Sequence, residues 1–176
     1  MIRGGTEGRT PLRHGLRFEK RTDLATVIAR LPDFCVKGDS VEYRGKEVAL
    51  LYKKNKLYSK LLQPMGADYR RFISKRLLSD DVVLVLVDKT LFIIETEFQT
   101  VAGSVDEKLQ TCGFKLRQYK KLFEPIGLKV KYAYVLNDWF KKPEYKDVLD
   151  YIKSVDCDYF FYELPLSYLG FPVPDN

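Results

Sequence analysis

In SDDVVLVLVDKTLFIIETEFQ (79–99), three carboxylates, Asp80, Glu95 and Glu97, sit at the ends of two nearly all-apolar runs. Ionised side chains seldom continue such runs unless something offsets their charge. A divalent cation would offset it, because carboxylate oxygens are hard ligands suited to Mg²⁺, which keeps several waters and usually takes a phosphate oxygen of its substrate. A metal held this way lowers the pKa of a bound water and neutralises charge on a transition-state phosphate, so the chemistry suggested is phosphodiester hydrolysis. The plain alternative is that the acids cap a sheet edge or pair with neighbouring Lys75 and Arg76.

Whether the acids converge depends on the elements that carry them. VVLVLV (82–87) is apolar on both faces, which predicts a buried central strand, and LFIIE (91–95) follows across the polar break Asp88-Lys89-Thr90. A two-residue turn at Asp88-Lys89 would pair Val87 with Thr90 and so set Asp80 opposite Glu97, on the face Glu95 shares, with Asp81 pointing away. A three-residue turn would put Asp81 opposite Glu97 instead. Downstream, Val105, Leu109, Cys112, Leu116, Tyr119 and Phe123 recur at helical spacing in SVDEKLQTCGFKLRQYKKLF, the longest predicted helix. Ser104 with Glu107 three residues on fits a capping box, so Glu107 reads as a cap. VKYAYVL (130–136) is strand-like and, reached through that helix, can lie parallel to 91–97 by a right-handed crossover. A second amphipathic helix after Pro143 and a strand DYFFYEL (158–164) continue the pattern, while the PVPDN tail adds no element. Upstream, Thr22-Asp23 precede LATVIARL, a short helix ended by Pro32. Residues 40–62 read as a small meander with turns at Arg44-Gly45 and Lys54-Asn55, a helix near 56–62 competing. The expected fold is α/β, a mixed central β-sheet flanked by helices with a βαβ unit at its middle.

Length, at 176 residues, suits one domain, taken as 22–176 behind a flexible basic arm, 1–21, that lacks the apolar segment of a signal peptide. With no apolar run near the ~20 residues of a membrane span, the reading is a soluble protein with no membrane partner. Cys35, Cys112 and Cys157 are odd in number and widely spaced, which fits reduced thiols and a cytoplasmic location. His14, the single histidine, lies in the arm, excluding a histidine triad or a multi-histidine metal site. A net charge of +6 and a pI near 9.1 favour a polyanionic partner.

An Asp opening one core strand, Glu-x-Glu on the next and a helix after it resemble the PD-(D/E)XK nuclease superfamily over about residues 70–140. Ser79 stands before Asp80 where that family often has Pro, and Glu97 stands where it has lysine. Glu-x-Glu and Glu-x-Gln variants occur among type II restriction endonucleases. Gln99 after ETEF, and the string GSVDEKLQT, resemble what restriction-enzyme-like members carry after their catalytic strand. The resemblance implies a restriction-endonuclease-like core with Asp80, Glu95 and Glu97 as metal-binding catalytic residues and Gln99 orienting the site or contacting DNA. Lys75 or Lys108 would replace the missing lysine, and Lys75, Ser104 and Lys108 are the implied DNA contacts. It further implies Mg²⁺, with Mn²⁺ as its substitute, double-stranded DNA as substrate, and a homodimer whose two sites address two strands. Rival readings are a junction or repair nuclease, a ribonuclease, and a nucleic-acid-binding module whose nuclease site has decayed. Of the long helix's basic residues, Lys120 and Lys121 suit its C-terminal dipole, and the aromatics of Asn137-Asp138-Trp139-Phe140 suit the edge of the core.

Overall fold

The computed structural model describes residues 14–20, 22–101 and 103–174. In chain order these form β1 (Gly15–Arg17), α1 (Leu24–Ala29), β2 (Phe34–Lys37), β3 (Ser40–Tyr43), β4 (Lys46–Tyr52), a π-helical turn (Leu57–Leu62), β5 (Asp81–Val85) and β6 (Thr90–Glu97). Then follow α2 (Val105–Leu109), α3 (Cys112–Phe123), β7 (Lys129–Leu136), α4 (Lys146–Ser154), β8 (Asp158–Phe161), β9 (Glu163–Pro165) and α5 (Leu166–Leu169). Strands β2 to β8 make one sheet in sequential order, antiparallel through β6 and parallel from β6 to β8. The α/β class is as expected, with a mostly antiparallel sheet. Among the described residues no helix is long and apolar enough to cross a membrane.

Both faces of the central strands are covered, which is why their sequences are apolar without alternation. Val82, Leu84, Leu91 and Ile93 pack with Tyr132 and Tyr134 against Leu116, Tyr119 and Phe123 of α3. Val83, Val85, Phe92 and Ile94 face the other way, onto Leu24, Val27 and Ile28 of α1 and Leu166 and Leu169 of α5. The βαβ unit is β6–α3–β7, with Glu95 beside Tyr134 and Glu97 beside Leu136 in parallel register.

The β5–β6 hairpin departs from both expected turns. Val85 pairs with Thr90, so four residues, 86–89, make the connection. A two-residue turn of the hairpin-favoured type needs left-handed backbone at both central positions, and only Lys89 (φ 54°) adopts it. Leu86 instead keeps its N–H on Val48 of β4, and Asp88 accepts the N–H of Thr90. The register moves by two residues from the first expectation, so sheet faces are preserved while cross-strand neighbours change. Asp80 lies one step past the last ladder pair, Asp81↔Ile94, beside the row of Glu95 rather than opposite Glu97.

The long predicted helix is two helices. The Lys108 carbonyl accepts the N–H and the hydroxyl of Thr111 and the hydroxyl of Tyr134, which displaces the regular i→i+4 bond and breaks the helix at Gln110-Thr111. Ser104 makes no side-chain capping bond, so the expected capping box is absent. Part of the expected arm is also built into the fold: β1 pairs with β9, and Leu16 and Phe18 are fully buried. Residues 1–13 and 21 of that arm lie outside the described residues. The turn at Arg44-Gly45 has both residues left-handed, as a two-residue hairpin requires, and helix rather than strand occupies 57–62. Strand β2 and helix α5, short and without strong periodicity, had no expectation.

Candidate active site

Asp80, Asp81, Thr96 and Glu97 lie where β5 begins and β6 ends. There they line a cleft of about 570 Å³ with Asp23, Lys53 and Lys54. Residues two apart on a strand share a face, so Glu95 and Glu97 both project toward α3. That is the face on which Ile93 and Tyr132 are buried, and the side chains of both acids are only 15% exposed.

Each of the three acids has a lysine. Glu95 Oε2 lies 2.8 Å from Lys115 Nζ of α3, and Glu95 Oε1 accepts a 3.4 Å bond from Ser79 Oγ. Ser79 is itself 2.6 Å from the Tyr119 hydroxyl, so Tyr119, Ser79 and Glu95 form one chain across β5, β6 and α3. Glu97 Oε1 is 3.5 Å from Lys108 Nζ, whose backbone the Tyr134 hydroxyl fixes. Asp80 stands apart: its side chain is 81% exposed and pairs with Lys54 at 3.7 Å, an exposed contact of little energetic weight. Burial pushes the Glu97 carboxyl above the ordinary glutamate range, with Lys108 pulling it down and Glu95 pushing it further up.

Asp81 faces the opposite core, as expected of a residue pointing away from Glu95. It is 6% exposed, and its Oδ1 accepts the Leu24 N–H of α1 at 3.3 Å. Burial pushes its carboxyl up to about 6, against the Leu24 bond and Lys53, with Asp23 and Asp80 adding to the rise. Because the folded value exceeds the unfolded value of ~3.9, the native state holds an extra proton between the two. Stability from Asp81 is therefore present below pH ~4 and is lost as pH rises through ~6. Asp23 has the opposite sign: bonds to Lys53 and Thr26 lower it to about 2, so its contribution is lost only as pH falls from ~4 toward 2. The Asp81→Asn protein is accordingly expected to melt several degrees above wild type at pH 8, on the order of 1–3 kcal/mol, with the gap closing at pH 4. Parallel melting curves across that range would remove the buried charge from the account.

The remaining candidates separate. The Gln99 backbone is clamped by Asn137, which accepts its N–H at 3.2 Å and donates to its carbonyl at 2.7 Å, an anchoring role for the strand–loop junction. Lys75 is exposed and makes no ion pair among the described residues, so the lysine facing Glu97 is Lys108. Ser104 is exposed at the start of α2. Phe140 is fully buried, and Trp139 donates to Tyr145 at 2.7 Å, so the aromatic pair covers the core. Lys115, Ser79 and Tyr119 carry no sequence expectation at the site. For Lys115 and Tyr119 the available signal was helical spacing, since residues four apart fall on one face of α3, whereas Ser79 carried none.

Among the described residues, no three His, Cys, Asp or Glu side chains come together closely enough to hold a metal ion. The three-carboxylate convergence is thus not assembled. The side chains that could contribute to holding Mg²⁺ are Glu95 and Glu97, since this ion commonly takes one or two carboxylates and completes its shell with water and substrate phosphate. Two buried hydroxyls beside the acids, Thr96 Oγ1 and Tyr132 OH, also find no hydrogen-bond partner of good geometry among the described residues. Compared with protein-family models, curated proteins and solved structures, the chain matches none.

Proposed function

We propose that this chain is a Mg²⁺-dependent endonuclease that hydrolyses phosphodiester bonds of double-stranded DNA, with a PD-(D/E)XK core and the homodimeric habit of a type II restriction endonuclease. One observation carries the reading: Glu95 and Glu97 share a face at the end of β6, the strand that opens the βαβ unit, with Asp80 at the head of β5. Bound there, Mg²⁺ would supply an acidified water and neutralise phosphate charge. Glu95 and Glu97 are the residues to hold it, with Asp80 free to swing in from solvent. Lys108, with its ammonium 3.5 Å from Glu97, would serve as the water-orienting cation. Ser79 and Tyr119 hold Glu95 in its rotamer.

A second reading, a DNA-binding module with a decayed nuclease site, is favoured by the lysine on every acid, which balances the cluster without a metal. Plasmid DNA incubated with the purified protein separates the two. The expected result is cutting at discrete sites with Mg²⁺ or Mn²⁺, stopped by EDTA and restored by excess metal. Cutting confined to branched or nicked substrates would favour a repair or junction nuclease. DNA binding without cleavage in any divalent ion would favour the decayed module.

A further inference from the structure

The segment joining β4 to β5 holds eight Lys and Arg residues between 53 and 77 against one acid, Asp68, an excess of seven that exceeds the +6 of the entire chain. Most of these cations are matched: Lys53 with Asp23, Lys54 with Asp80, Lys56 and Lys60 with Asp39, and Arg70 with Asp68. Arg76 differs. It has no carboxylate partner among the described residues, and its guanidinium lies 4.6 Å from the Tyr69 ring centroid and 5.3 Å from that of Tyr58. Among the described residues its one hydrogen bond is a long one, 3.4 Å, to Asn55, and its buried Nε has no partner. An arginine carries five donors in a fixed fork suited to phosphate, and leaving a half-buried one unmatched is costly. The side chain borders a cleft of about 450 Å³ shared with Gln63, Asp68 and Arg70, where both Asp68 oxygens are already engaged by Arg70.

We infer that Arg76 and this cleft bind a phosphate group, and that the phosphate belongs to a nucleic-acid strand running on to the acids at Asp80. The identity of the strand rests on the nuclease reading above, whereas the anion site rests on Arg76 itself. Arg76 is coupled to the acids by a short, fixed stretch. The Tyr58 hydroxyl accepts the Leu77 N–H at 2.8 Å and donates to the Leu77 carbonyl at 3.0 Å, while Ser79 is tied to Tyr119. Tyr58 stands on the π-helical turn Leu57–Leu62, a rare backbone form that recurs at functional sites. Four residues of extended chain span at most ~14 Å. The backbones of Arg76 and Asp80 are therefore close enough for one nucleic-acid strand to meet both side chains.

The test is binding of a labelled duplex of about 30 bp, followed by fluorescence anisotropy in EDTA over a range of salt. Arg76→Gln is expected to weaken binding about tenfold and to reduce the log–log salt slope by about one contact, ~0.9. Arg76→Lys keeps the charge but not the fork, so the slope should persist while affinity falls. It serves as the second variant should Arg76→Gln fold poorly. Inorganic phosphate is the companion probe, read as a rise in melting temperature. A rise that Arg76→Gln removes, with duplex affinity unchanged, assigns the site to free phosphate and overturns the strand. Neither effect in folded variants overturns the site altogether. Because binding is read without metal, absence of cleavage would count against the nuclease reading alone, and an Arg76-independent duplex affinity in a cleaving protein would count against this inference alone.

Discussion

Replacing Glu95 with alanine is expected to abolish Mg²⁺-dependent plasmid cleavage, a loss of about 100-fold or more, while the melting temperature stays within a few degrees of wild type. Groups that merely orient metal ligands are worth about 10–100-fold, so losing a ligand should fall at or beyond that upper end. The fold should survive because Glu95 lies where β6 leaves the apolar core and its side chain keeps some contact with water, so truncation removes no core residue. Its removal does orphan Lys115, but that side chain is 25% exposed and can carry its ammonium to water. Glu95→Gln adds a control that keeps volume and the Ser79 hydrogen bond while removing the charge. If Glu95 acts only as the partner of Lys115, both variants should lose stability and keep cleavage. A folded Glu95→Ala protein that cuts plasmid at near-normal rate would sink the assignment of the site.

How much of this was legible in the sequence varied with the physics behind each feature. The apolar runs at 82–87 and 91–95 specified buried central strands, because only covering on both sides tolerates such runs, and helices on both faces supply it. The βαβ unit followed from helical spacing between two strand-like segments. The β5–β6 register did not follow, since it turns on whether Asp88 adopts a left-handed backbone, a local preference that composition does not fix. Even so, parity survived: a slip of two residues leaves Glu95 and Glu97 on one face and Asp81 on the other. The break at Gln110-Thr111 was hidden because it depends on Tyr134, 26 residues from Lys108, reaching the Lys108 carbonyl. The lysine partners were equally hidden. Lys115 stands in the sequence as one of several helix lysines, and only packing of α3 on β6 makes it the counter-ion of Glu95.

Glu97→Lys gives the other large expected effect, because it separates two explanations of the same residue. If the Glu97 carboxylate serves as a metal ligand, the substitution replaces it with an ammonium beside Lys108, 3.5 Å from the present carboxylate, and near Lys115. Two cations would then face each other on a side chain position only 15% exposed, where screening by water is weak. Cleavage should fall by about 100-fold or more, and Mn²⁺ binding measured by calorimetry should weaken with it. The double variant Glu97→Lys with Lys108→Glu relieves the repulsion and restores one carboxylate to the neighbourhood, so it should fold better than the single variant. If Glu97 instead marks the loss of a water-orienting lysine, Glu97→Lys supplies that cation on β6 and cleavage should appear or rise while remaining dependent on Mg²⁺. The first outcome is the expected one, since an acid two residues from Glu95 on the same strand face can share a divalent charge with it, and Lys108 already provides a cation at that place. A clear gain of plasmid cleavage by the single variant would overturn this choice and make the chain a nuclease disabled at one position.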